Sequence, residues 1–333
     1  MQTSVLANCP AEARVLKVEV GKKEFSTPTY FPAVSRKEIR DSKNMFVELV
    51  TSSGYPRLLI SSYDYGRLGT SDQRRIIGRI SDYYRKGSII LLDSGMFESY
   101  WRGDLKWTFG RYQDSVRNVD SDFYFSYDAL PSQEDFDMPR FLSETRKNIS
   151  ASFALTTRSE CIPIVHARSP RDLVKLARLL VKADPGRIRN IGVSERELGR
   201  SISERGKTVA ALRKVLGGRN GGLLHLLGCG NPLSMAVYAY AGADTFDSLD
   251  WALSACDRSD DRLVDYSHLE LLNCKCDVCK KPSIDSFSRI FLHNLLFYQD
   301  FSIKLQSMIK QQTLTDYLQQ TAGKELLSRL GLN

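Results

Sequence analysis

The chain has 333 residues, 42% of them hydrophobic, and a formal net charge of +8. That length holds one large α/β domain, or a barrel with a small appendage, and no run of about 18 apolar residues is present to span a membrane. The excess of Lys and Arg favours a polyanionic partner, and residues 1–17 lack the basic-then-apolar order of a signal peptide, so the expected compartment is the cytoplasm.

Apolar, β-branched runs recur in chain order: YFPAVS near 30, RLLISS near 57, SIILLDSG at 88, DFYFSYD at 122, CIPIVHA at 161, IRNIGVS at 188, GLLHLLG at 222 and ADTFDS at 243. Most are separated by helix-like stretches such as SPRDLVKLARLLVKA and SISERGKTVAALRKVL, at a spacing of roughly thirty residues. This is the cadence of βα units in a parallel sheet. Strands without polar alternation are buried on both faces, which fits a closed (β/α)₈ TIM barrel better than an open doubly wound sheet. The barrel is expected over residues 1–262. Near Leu263 the cadence breaks, and residues 263–333 are expected to form a metal-binding subdomain followed by a helical tail.

In such a barrel the chemistry sits where strands end. The ends carry Asp93 after IILL, Asp128 after FYFSY, His166 after IPIV, Gly192 after RNI and Asp247 after DTF. Any one Asp can cap the next helix. Three together, beside the small residues of DSG and FDS, point to a polar site that a substrate can approach closely.

Cys274, Cys276 and Cys279 form a C-x-C-x₂-C cluster within CKCDVC. Its short loop can turn three thiolates toward one ion, leaving a tetrahedral zinc one ligand short. Of four histidines, His293 lies just downstream, with His268 as the substitute. A site filled by four protein ligands makes Zn²⁺ structural. An odd count of seven cysteines, three of them crowded here, suits a reducing compartment better than a disulfide framework.

These residues resemble the tRNA-guanine transglycosylases, which exchange guanine for a 7-deazaguanine base. The family's DSGGFQ looks like DSGMFE here, its FDE like SYDALPS, its GIVQG like PIVHA and its GGLAVGE like NIGVSERE. Its LMGVGKP and MFDC are similar to LLGCGNP and TFDS, and HNLLFYQDF, opening at His293, is similar to the segment that supplies the family's fourth zinc ligand. The order is kept from about Phe31 to the C-terminus. The resemblance implies a pentosyltransferase. Asp247 stabilises or attacks the sugar cation, forming a covalent intermediate, and Asp93 cycles as acid and base. Ser94 offers a hydroxyl or N–H to the substrate phosphate, and Asp128 accepts from the guanine-type edge. Backbone groups of Gly192 and Val193 meet the other substituents. His166, where the family has Gln, gives one hydrogen bond to the exocyclic oxygen, and Tyr65 and Phe97 sandwich the base.

One departure concerns the polymer. Where the family continues VLPTRNAR after the nucleophile, this chain reads LDWALSACDR. Trp251 is expected to stack on a nucleobase and Arg258 to meet a phosphate. The loss of the Pro-Thr-Arg element, the His166 substitution and the short interval before His293 resemble the branch of the superfamily that inserts 7-deazaguanine into DNA, and DNA is favoured over tRNA. Other classes are an enzyme acting on tRNA, a silent accessory paralogue, against which Asp93 and Asp247 argue, and a zinc-containing binding module. The sequence leaves open whether Phe297, Tyr298 and Phe301 pack within one chain or across a homodimer, and whether accessory proteins open the duplex.

Overall fold

The computed structural model describes residues 1–8, 11–35, 45–66, 70–131, 137–155 and 158–332. An antiparallel sheet of β1 (Gln2–Asn8), β2 (Arg14–Val20) and β3 (Lys23–Ser26) comes first. The eight apolar runs then become β4 (Thr29–Val34), β5 (Arg57–Ser61), β6 (Ile89–Asp93), β7 (Phe123–Phe125), β8 (Glu160–Ile162), β9 (Ile191–Ser194), β10 (Leu224–Leu227) and β11 (Thr245–Ser248). They pair in parallel in the order β8-β7-β6-β5-β4-β11-β10-β9. The ring closes just past β8, where Gly192 donates its N–H to Pro163 O at 2.8 Å and accepts from Val165 N at 2.9 Å. Helices cover the outside, giving the expected (β/α)₈ barrel.

The strands are apolar throughout because each faces two cores. Outside, Ile90, Leu92, Tyr124, Val193, Leu226 and Phe246 pack under the helices. Inside, Phe31, Leu59, Leu91, Phe123, Phe125, Ile162 and Ile164 fill the barrel together with Leu16, Val18 and Phe25 of the N-terminal sheet. Phe25 meets the rings of Phe31 and Phe123 edge-on, with centroids 6.1 Å apart in each pair. The sheet therefore plugs the end of the barrel where the strands begin, leaving the other end for a site.

An ionic clamp ties this plug to the last strand. Arg14 forks onto Asp244 at 2.9 and 2.8 Å, and Arg213 reaches the same carboxylate at 2.9 Å, all three side chains being buried. Six further guanidinium N–H groups go to the carbonyls of residues 218, 219, 221, 222 and 242, and Leu224 N–H donates to Asp244 Oδ2 at 2.8 Å.

Past the barrel, a hairpin of β12 (Ala255–Asp257) and β13 (Arg262–Val264) leads to the long helix Ser286–Lys310. Phe291 of that helix meets Phe46 and Trp251 edge-on, and Tyr298 stacks on Tyr30 with centroids 3.8 Å apart. Phe297, Tyr298 and Phe301 are thus buried within one chain. Among the described residues no helix is long and apolar enough to cross a membrane.

Because removing Asp244 leaves two guanidinium groups buried without their counter-charge, Asp244→Ala is expected to cost about 3–5 kcal/mol in urea unfolding. A loss under ~1 kcal/mol would show that the clamp does not hold the plug.

Candidate active site

Six carboxylates, Asp93, Glu98, Asp128, Glu197, Asp247 and Asp250, line one cavity of about 320 Å³ at the open end of the barrel, with His166 and Arg196 as its cations. That volume lies at the small end of ligand pockets, roughly 300–1,000 Å³. Ser94, Ser194, Phe97, Leu130 and Leu227 complete much of its wall.

Asp93 ends β6. Its carboxylate accepts the Gly95 N–H at 2.9 Å, and Ser62 donates its hydroxyl to the Asp93 carbonyl. Gly95 adopts a left-handed φ of 76°, and a Cβ there would lie 2.5 Å from Tyr63 N, so the turn requires glycine. Ser94 is buried beside it, accepting from Met96 N at 3.2 Å while its carbonyl takes the Trp107 indole N–H at 3.1 Å. Burial, reinforced by the charges of Glu98, Asp128 and Asp247, pushes the Asp93 carboxyl well above the usual carboxylate range despite the Gly95 N–H. Glu98 is 6% exposed, and burial together with the Asp64 carboxylate pushes it up to about 7.

Asp247 is fixed from below. His225 of β10 brings Nε2 to Asp247 Oδ1 at 2.9 Å and Nδ1 to the Thr245 hydroxyl at 2.9 Å. A carboxylate only accepts, so Nε2 donates to Asp247. The imidazole lies inside the barrel, 4.8 Å from the Phe125 ring centre.

Asp128 and His166 form a different unit. His166 Nε2 meets Asp128 Oδ2 at 2.8 Å and Nδ1 meets Glu197 Oε1 at 2.6 Å, while Glu197 Oε2 takes the Ala167 N–H at 2.8 Å. Burial opposes charge on His166, but Glu197 and Asp128 outweigh it and raise the imidazole to about 10. Both ring nitrogens are therefore committed to carboxylates. In this arrangement neither ring nitrogen points to an open position, in contrast to the hydrogen bond to a base expected from the sequence. Asp128 Oδ1 and Glu98 Oε2 are left buried without a hydrogen-bond partner, a costly state that donors on a ligand would relieve.

Several expected residues lie elsewhere. Gly192 spends its N–H and C=O on closing the barrel, and Val193 pairs with Leu226 and packs under the helices, so Ser194 reaches the cavity in their place. Tyr65 is buried against a separate cleft with Gly66 and Gln73, leaving Phe97 as the aromatic wall. Trp251 is 0% exposed and donates its indole N–H to Ala33 O at 2.7 Å, which removes it as a stacking surface. Arg258 is paired with Asp300 of the long helix, with Nη1 buried, and braces the hairpin instead of reaching a phosphate.

The cysteine cluster is assembled. The ligand atoms of Cys274, Cys276, Cys279 and His293 all lie within 4.8 Å of one another, and His293 Nδ1 stands 3.5 and 3.4 Å from the Cys276 and Cys279 sulfurs. His293 Nε2 donates to Cys256 O at 2.7 Å, which leaves the Nδ1 lone pair for a metal ion. His268 is exposed on the 3₁₀ turn Tyr266–Leu272, outside the cluster.

Glu98, Glu197 and His225 were not read as site residues from the sequence. His225 carried a signal, since it is the polar residue in an apolar strand and pairs across the sheet with Thr245, two residues before Asp247. Nothing in SERE separates Glu197 from Glu195.

A family model described as queuine tRNA-ribosyltransferase matches residues 9–325. The curated tRNA-guanine(15) transglycosylase of Pyrococcus furiosus is 27% identical over 91% of this chain and 53% of its own. Those of Thermococcus onnurineus and Archaeoglobus fulgidus are 24% and 22% identical, over 91% and 87% of this chain and 54% and 60% of theirs. The chain spans about half the length of the curated relatives it matches.

Glu98 provides a test of the cavity's electrostatics. Its proton is held more tightly in the folded chain, so its contribution to stability falls as pH rises from 4.5 to about 7 and stays low above that. Glu98→Gln is expected to stabilise the protein by on the order of 1–3 kcal/mol at pH 8 and by much less at pH 5. Equal effects at both pH values in denaturant melts would contradict a buried, titrating carboxyl.

Proposed function

The chain belongs to the queuine tRNA-ribosyltransferase family, and on that premise we propose that it exchanges guanine in a nucleic acid for a 7-deazaguanine base through a covalent Asp247–sugar intermediate. The observation that carries this reading is the pairing of two carboxyls under different restraint in one cavity: Asp247 with one oxygen held by His225, and Asp93 pushed toward its protonated form. As the bond between C1′ and guanine N9 breaks, Asp247 Oδ2 forms an ester to C1′ and Asp93 gives its proton to the departing base. The arriving base loses its N9 proton to Asp93 and displaces Asp247 from C1′, restoring both carboxyls. On this reading Asp128 Oδ1 accepts from the N1–H and 2-amino edge, and Ser94 meets the phosphate.

We favour DNA as the polymer. Support comes from residues 249–258, which replace the Pro-Thr-Arg element with a buried Trp251 and an Arg258 tied to Asp300. The names of the relatives support tRNA as the second reading. Mass spectrometry of nucleosides from DNA and tRNA, after expression with a deazaguanine supply, separates the two. Modified base in tRNA and never in DNA would reverse the choice of polymer.

The cluster suits structural Zn²⁺, with a cytoplasmic setting keeping its thiols reduced. Zinc–sulfur and zinc–nitrogen bonds of about 2.3 and 2.0 Å place neighbouring ligands roughly 3.5 Å apart in a tetrahedron, beside the 3.4 and 3.5 Å found. Such an ion fixes the 274–279 turn to the long helix and takes no part in the exchange.

Asp247→Asn is expected to lower guanine exchange at least about a thousandfold with an unchanged melting curve. Activity near wild type would sink the nucleophile assignment. Elemental analysis should find one zinc per chain, lost with Cys276→Ser together with thermal stability. Full zinc occupancy in that variant would dissolve the site as described.

A further inference from the structure

Phe97, Tyr100 and Trp101 share one short helix, Met96–Trp101, that begins three residues after Asp93. Phe97 lines the cavity, and one turn further on Trp101 meets it edge-on with centroids 6.1 Å apart, while Tyr100 meets Trp101 at 5.7 Å. The row of rings therefore runs from the cavity wall outward, where Tyr100 is 57% and Trp101 56% exposed. Large aromatic side chains left in solvent beside a site mark an interaction surface. The guanidinium carbon of Arg196 stands 4.6 Å over the Phe97 ring, and exposed Arg102 follows Trp101 directly. The loop after the helix is braced by the Tyr63 hydroxyl on Asp104 at 2.9 Å and by the Trp107 indole on Ser94 O.

We propose that Tyr100 and Trp101 form a stacking platform for the unpaired nucleobase next to the exchanged nucleotide, with Arg102 and Arg196 meeting its phosphates. The inference rests on the function proposed above. A base drawn out of its stack to reach Asp93 leaves neighbours that have lost a stacking partner, and aromatic faces interleaved with arginine are a surface for single strands. An apolar protein partner has less use for the arginines, and the platform is continuous with the wall of the cavity that receives the exchanged base. It also relocates the stacking surface expected at Trp251, which is core.

The test compares wild type, Trp101→Ala and Trp101→Phe in binding a short single-stranded oligodeoxynucleotide containing one guanine, by fluorescence anisotropy, alongside free guanine binding by calorimetry. Trp101→Ala is expected to weaken oligonucleotide binding roughly 5- to 150-fold, with Trp101→Phe intermediate and guanine binding unchanged. Oligonucleotides made abasic beside the guanine, on each side in turn, should remove most of the difference between wild type and Trp101→Ala on one side. Unchanged oligonucleotide affinity in Trp101→Ala would overturn the platform alone, since guanine binding and exchange by wild type report on the cavity separately. A wild-type dimer in sedimentation velocity that Trp101→Ala dissociates would also overturn it, assigning the surface to a second copy of the chain.

Discussion

Closure of the strand ring at Ile164 and Gly192 is the constraint from which the site follows. A Cβ on residue 192 would lie 2.6 Å from the Ile164 Cδ1 methyl, so glycine lets the interior side chains pack closely against the seam. Once it is shut, strand ends separated by more than 150 residues, such as Asp93 and Asp247, share one rim. The ladders of β7 and β8 are three residues each. Their continuations are released early and turn over the cavity, which is why Asp128 and His166 meet each other and Glu197 instead of standing upright on a strand.

The cavity concentrates negative charge inside a protein whose net charge is +8. A neutral base with N–H donors suits the interior, whereas the phosphates around it suit an arginine-bearing rim. The two aspartates differ in what touches them. Asp247 has a buried imidazole donor beneath it and an oxygen free, while Asp93 has one backbone N–H and three carboxylate neighbours. The carboxylate-lined cavity and the arginine-bearing surface beside Phe97 thus have opposite electrostatic character within one helix turn of each other.

The eight strands, the three aspartates and the cysteine cluster were legible because each leaves a local signature: an uninterrupted apolar run, a carboxylate at its end, a fixed thiol spacing. Features that depend on partners across the fold were not. Trp251 looked like a loop aromatic, and it is core because helix Ser286–Lys310, forty residues on, covers it with Phe291. Gly192 does face the barrel interior, against Ile164 and Phe125, but it sits two residues below Ser194, which reaches the cavity. His166 was read alone, and its two carboxylate partners lie 38 and 31 residues away. The N-terminal sheet was missed although LKVEV alternates as a half-exposed strand does.

The clamp between Arg14 and Asp244 spans 230 residues, and β4 pairs directly with β11. At the usual 5–20 residues per second, roughly 10–50 s separate the synthesis of the two halves of that contact. Through that interval β4 has an unpaired edge, the kind of surface that recruits other chains, and the plug has no anchor at the last strand. In a nascent chain of this topology the strand ring cannot close until β11 has been made, so the first barrel strand and the plug both wait on the last one.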